Sequence, residues 1–195
     1  MPIGLLGSYM TQLRFEIKGN PSDEAEKLLL YLNANHSGAM GKLSTAVHIS
    51  EAETEVGACL SSVENFVSGQ SESVSIPVCG TKSQPAVYVH TQPLMKWKPS
   101  EKDIVHTAQR GELTRGFVVL TSNGMDSVFG SVTALPKEVT DRIADSDISG
   151  ASLRSMLRDE GHMVKISSKN EPDTTQEAVE LAVKTGLLDE SYLDS

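Results

Sequence analysis

Apolar residues alternate with polar ones along residues 12–18, where Leu13, Phe15 and Ile17 are the apolar positions. A period of two is typical of a strand with one buried face, so we predict the first strand here. Asn20 and Pro21 follow in the order of a helix N-cap and first helical residue. We therefore predict that a helix with a face of Ala and Leu begins at this point.

The next segment has a weaker pattern. Residues 33–41 contain several Gly and Asn and predict a loop, and the alternation in residues 43–49 predicts a strand. Apolar residues at helical spacing predict a helix over residues 51–67. Its early glutamates, of which Glu55 is the last, complement the positive end of a helix dipole, and we interpret them as structural.

The clearest local signal is a pair of β-rich runs around Asn123 and Gly124. Both residues accept the positive φ of a type I′ turn, which predicts a hairpin. The remaining predictions are strands over residues 74–78, 85–91 and 162–167, and helices over 101–110, from Pro136, around Leu153 and over 175–185.

The order of these elements, without a steady βαβ alternation, predicts an α+β fold. We expect a mixed or antiparallel sheet with the Asn-Gly hairpin and about five or six helices. The predicted organisation is an N-terminal arm (residues 1–10), a single domain (residues 11–186) and an acidic C-terminal tail (residues 187–195).

The net charge of the chain disfavours one class of binding partner. The chain has 17 Lys and Arg against 26 Asp and Glu, a net charge of −9, which repels phosphate backbones and disfavours nucleic acid as the primary partner. No segment predicts an export signal or a membrane span. We expect a cytoplasmic protein, with association with a virion as the alternative.

The two cysteines, Cys59 and Cys79, are too few for a thiolate zinc site. Without an export signal, buried reduced thiols are the favoured interpretation, and a single disulfide between them stays open.

No arrangement of residues indicates a catalytic, metal or cofactor site. The five histidines are scattered, and strand alternation places His90 opposite Val89, which predicts that its side chain faces solvent. Asp145, Asp147 and Ser149 resemble the start of a calcium loop, but methionine stands where the bidentate glutamate is needed. We predict no cofactor and leave weak cation binding there open.

Two segments have the composition of partner-binding surfaces. The N-terminal arm is apolar through Ile3, Leu5 and Leu6. A proline-bounded segment combines aromatic and cationic side chains, as interface hot spots do, through Tyr88, Lys96, Trp97 and Lys98.

These features favour a non-enzymatic structural or protein-interaction protein that self-associates into a homo-oligomer. A viral or phage assembly component, such as a matrix or capsid-associated protein, is the specific hypothesis. The alternative is an enzyme or small-ligand-binding module whose site is assembled from distant residues. Two interacting titratable groups in a deep pocket would support that alternative.

Overall fold

The computed structural model describes residues 15–48, 55–70, 73–92, 99–123, 126–133, 135, 137–145 and 149–168. These residues form strands β1 (Phe15–Lys18), β2 (Val56–Leu60), β3 (Glu64–Ser68), β4 (Ala86–Gln92), β5 (Thr114–Asn123), β6 (Asp126–Thr133) and β7 (Met163–Ser168). The helices are α1 (Asp23–Asn35), α2 (Ser37–His48), α3 (Glu101–Arg110), α4 (Lys137–Ala144) and α5 (Gly150–Asp159). The predicted α+β class is confirmed.

The strands form one seven-stranded sheet in the order β1-β7-β6-β5-β4-β2-β3. Strands β4 and β5 are parallel, and every other neighbouring pair is antiparallel. A parallel pair needs a crossover, and α3 supplies it between β4 and β5. The sheet is therefore mixed.

Helices cover both faces of the sheet. Leu28 and Leu32 of α1 and Leu43 of α2 pack with Val89 and Val118 on one face. On the other face, the apolar side chains of α3, α4 and α5 form a second cluster. The central strands are consequently buried on both sides, and β4 has no exposed position before its last residue.

Side-chain caps determine where several helices begin. Ser22, and not the predicted Asn20, is the N-cap of α1, since its hydroxyl accepts a hydrogen bond from the backbone N–H of Ala25. Helix α3 begins with a complete capping box at Ser100, and α5 begins after Ser149.

The pattern misassigned four segments. Residues 43–48 of the predicted strand lie in α2, and residues 33–41 belong mostly to α1 and α2. The described part of the predicted helix over residues 51–67 forms the β2–β3 hairpin instead. Residues 74–78 form no strand.

Strands β4 and β7 and helix α3 agree with the prediction. Asn123 closes the β5–β6 ladder opposite Asp126. Gly124 lies outside the described residues, so the predicted Asn-Gly turn is not shown. The N-terminal arm, the helix over residues 175–185 and the acidic tail also lie outside them.

Cys59 and Cys79 form a disulfide, with their Cα atoms 6.1 Å apart. The interpretation as reduced thiols is therefore wrong for this structure. Within the described ranges, no helix has both the length and the apolar composition that a membrane span requires.

Candidate functional site

A line of side chains from β4 faces α3. Alternation along β4 directs Tyr88, His90 and Gln92 to the same face of the sheet. Cys59 pairs with Tyr88 and Gly57 pairs with His90, so that face continues onto β2. Val89 points to the opposite face, where it joins the α1 and α2 core.

His90 is buried, with a relative exposure of 6%. Its ring packs edge-to-face on Phe117, with the ring centres 5.0 Å apart. Burial lowers the pKa of His90, and the negative charge of Asp103 opposes that shift only in part. The imidazole is therefore neutral at pH 7. The prediction that His90 faces solvent is wrong, because α3 covers this face.

Asp103 reaches the site from the first turn of α3 and is 9% exposed. Its Oδ2 accepts hydrogen bonds from the backbone N–H and the hydroxyl of Ser100, both at 2.7 Å. The backbone N–H of Asp103 donates in turn to Ser100 Oγ at 3.2 Å. The capping box thus holds the carboxylate in one orientation and leaves Oδ1 for another partner.

Three buried polar atoms of β4 have no hydrogen-bond partner among the described residues. They are Tyr88 Oη, His90 Nε2 and Gln92 Oε1. Leaving a buried polar group unsatisfied costs about 1–3 kcal/mol, so native proteins rarely do so without an ion or water at that position. The His90 and Gln92 atoms each carry a lone pair for a cation when the histidine is neutral with its proton on Nδ1.

Glu55 lies next to this group. It directly precedes β2, is 8% exposed, and bonds through its backbone to Gln70 and Gly69. Continuing the β2–β4 register by two residues places Glu55 opposite Gln92. Its interpretation as a helix-dipole residue is therefore wrong, because residue 55 directly precedes a strand and is not part of a helix.

The structure does not bring the sequence-predicted partner-binding residues together. Tyr88 is fully buried beneath the guanidinium of Arg110, which lies 3.7 Å from its ring centre. Its assignment to an exposed surface is wrong. The other six residues lie outside the described part of the chain: Ile3, Leu5, Leu6, Lys96, Trp97 and Lys98. Self-association through them stays a prediction.

The calcium-loop candidate is not supported. Ser149 Oγ accepts from the backbone N–H of Ser152, so this residue is the N-cap of α5. Asp145 directly follows α4, and Asp147 lies outside the described residues. Among the residues that are described, no three His, Cys, Asp or Glu side chains are arranged to hold a metal.

One signal could have revealed the site from the sequence. The end of an otherwise apolar strand is polar through His90, Thr91 and Gln92, and Ser100 and Asp103 follow at capping-box spacing. Such residues face either water or a polar site. The pattern alone does not distinguish these two outcomes.

Comparison of the chain with protein-family models, curated proteins and solved structures finds no match.

Proposed function

We propose that this chain is a divalent-cation-dependent hydrolase whose site is assembled from distant residues. The ligands are His90, Gln92 and Asp103, and Glu55 is the neighbouring acid–base group. The observation that supports this proposal is the buried Nε2 of His90, which has no hydrogen-bond partner among the described residues and interacts electrostatically with the buried carboxylate of Asp103.

The chemistry of the three groups fits a cation. A neutral imidazole nitrogen, an amide oxygen and a carboxylate oxygen all offer electron pairs to a cation. Catalytic zinc sites have three protein ligands, which come mainly from His, Cys, Asp and Glu. The proposed site has only two side chains of the usual metal-binding types, His90 and Asp103. A site with three protein ligands therefore needs the amide oxygen of Gln92 as the third. An amide oxygen binds zinc less strongly than a second imidazole, so we expect moderate affinity.

A purely structural role for His90, Gln92 and Asp103 accounts for fewer of their contacts than a cation site does. Asp103 completes the capping box of α3 whether or not a cation binds. That role accounts for Asp103 Oδ2 but gives no partner to His90 Nε2 or Gln92 Oε1. A cation held by these residues would give a partner to both atoms and would balance the buried negative charge of Asp103.

The remaining residues suit hydrolysis. A cation bound here would polarise a substrate carbonyl and lower the pKa of a water molecule. In this proposal Glu55 accepts the proton of that water, a role that a glutamate has in zinc peptidases. Ser100 orients Asp103 through two hydrogen bonds, as the outer partners of metal ligands commonly do.

Metal titration tests the proposal. After treatment with a chelator and dialysis, the wild-type chain should bind one equivalent of Zn²⁺ in a calorimetric titration, and this binding should be lost in His90→Ala and reduced in Gln92→Ala. The matched control is His106→Ala, since His106 is exposed on α3 and outside the site. The zinc-loaded protein should hydrolyse unstructured peptides in a chelator-sensitive reaction.

Two results would reject the proposal. One is a wild-type protein that binds none of Zn²⁺, Mn²⁺, Co²⁺ or Ni²⁺. The other is equal binding by the wild type and His90→Ala. Zinc binding without any hydrolysis would retain the cation site and reject the enzymatic activity.

A further inference from the structure

A polar cavity lies at the end of β4 opposite to the proposed cation site, beside residues that precede the strand. It has a volume of about 470 Å³, within the range of small-ligand pockets. Its lining includes Tyr31, His36, Glu64, Gln84, Pro85 and Arg115, and we call it the Arg115 pocket. None of these residues belongs to the proposed cation site.

A β-bulge directs Arg115 towards this pocket. Ala86 pairs with Thr114 and Val87 pairs with Gly116, so Arg115 is the extra residue between two paired positions. Bulges of this kind change the direction of a side chain and are common next to functional sites. Thr114 supports the bulge by accepting a hydrogen bond from the Gly116 N–H at 3.0 Å.

The guanidinium of Arg115 is held in a defined position. Its Nε donates to the carbonyl of Pro85 at 3.1 Å, and its central carbon lies 4.2 Å from the ring centre of Tyr31. These contacts leave the two terminal nitrogens without a hydrogen-bond partner among the described residues. A pre-oriented pair of terminal nitrogens is suited to bidentate binding of a planar anion.

A buried histidine holds the ring that supports Arg115. His36 is 4% exposed, and its Nε2 lies 3.2 Å from the hydroxyl of Tyr31. Its Nδ1 lies 3.0 Å from Glu64 Oε1. Both ring nitrogens thus have partners. The hydrogen-bonded series Glu64–His36–Tyr31 positions Arg115 and leaves the positive charge of Arg115 available for a ligand.

The charges of the pocket favour a singly charged ligand. Arg115 supplies one positive charge, and Glu64, whose side chain is 39% exposed, supplies one negative charge nearby. A dianionic phosphate would meet only one cation and a repelling carboxylate. A carboxylate matches Arg115 in both charge and planar geometry.

We propose that the Arg115 pocket binds small ligands that carry a free carboxylate, with Arg115 as the binding residue and Tyr31 and His36 as positioning residues. The site is independent of the cation site, because the two lie at opposite ends of β4. N-acetylated amino acids are suitable probes, since they present the carboxylate without a competing ammonium group.

Titration of ¹⁵N-labelled protein with N-acetyl-leucine, followed by NMR, should give saturable shifts at Tyr31, Gln84 and Arg115. N-acetyl-leucinamide, which lacks the charge, should bind at least about tenfold more weakly, as expected for loss of a hydrogen-bonded charge pair. This comparison uses the wild-type chain and needs no variant. Inorganic phosphate should give weaker shifts than the carboxylate.

Arg115→Gln should weaken carboxylate binding by about tenfold or more. Arg158→Gln is the matched control, because Arg158 is exposed on α5 outside the pocket. His90→Ala should leave this binding unchanged, which separates it from coordination at the cation site. Equal affinity for acid and amide, unchanged binding by Arg115→Gln, preference for phosphate, or no saturable shift with the acid would each overturn the proposal.

Discussion

Reduction of the Cys59–Cys79 disulfide should destabilise the protein by an amount that follows from its loop length. The two cysteines are 20 residues apart, and the chain-entropy relation for such a loop gives about 3.3 kcal/mol. For 195 residues the entropy of unfolding near the melting temperature is about 0.4 kcal/mol per kelvin. The expected decrease in Tm is therefore about 8 °C.

The structure also predicts which segment reduction of the disulfide should destabilise first. Cys59 lies in β2 with no exposed surface, and Cys79 lies in the segment that packs Ile76 against the same cluster. Reduction should release that segment from the sheet before the sheet itself unfolds. Amide exchange should therefore accelerate within residues 73–85 more than in β5.

The assay is thermal unfolding with and without a phosphine reductant, with the redox state verified by mass spectrometry. The matched control is the Cys59→Ser/Cys79→Ser double variant, whose Tm should not respond to reductant. Two free thiols in denatured protein that was purified without reductant would refute the disulfide. A disulfide-bonded protein whose Tm does not change on reduction would refute the loop-entropy estimate.

Further predictions concern the cap, the close contact beside the site and self-association. Ser100→Ala and Ser149→Ala should each lower the free energy of unfolding in urea by about 1 kcal/mol, because each removes a helix cap. Only Ser100→Ala should weaken Zn²⁺ binding. Equal effects of the two variants on Zn²⁺ binding would contradict the role of Ser100 in positioning Asp103. Gly57→Ala should lower the free energy of unfolding by about 1–3 kcal/mol, because an added Cβ would lie 2.6 Å from Ile76 Cγ1. In the double variant, Ile76→Ala should restore part of that loss. Ultracentrifugation should show a homo-oligomer that is lost in a chain beginning at Met10, and a monomer at all concentrations would refute self-association.

Local patterns were sufficient where a segment has one exposed face or a clear cap. The alternating residues around Phe15 and Ile17 form β1, although this strand begins only at Phe15 within the described residues. Helix α3 was predictable from Ser100 and the glycine at position 111, which are its N-cap and C-cap. Each of these signals depends on near neighbours in the chain.

The errors lie where tertiary packing overrides local preference. Helix α2 contains glycines and β-branched residues with weak helix propensity. Met40 and Leu43 are buried one turn apart, and this packing stabilises the helix. Strand β2 is buried on both faces, so its continuous apolar run lacks the period of two that would have identified it as a strand.

The sequence by itself determined the α+β class, the acidic surface charge and the alternation that puts His90 and Val89 on opposite faces of β4. Only the tertiary structure decided that both faces are covered, with α1 and α2 on one side and α3 on the other. Alternation specifies the direction of a side chain relative to its neighbours, whereas burial depends on elements that are distant in the chain. For that reason His90, Gln92 and Asp103 form a candidate site only in the folded protein.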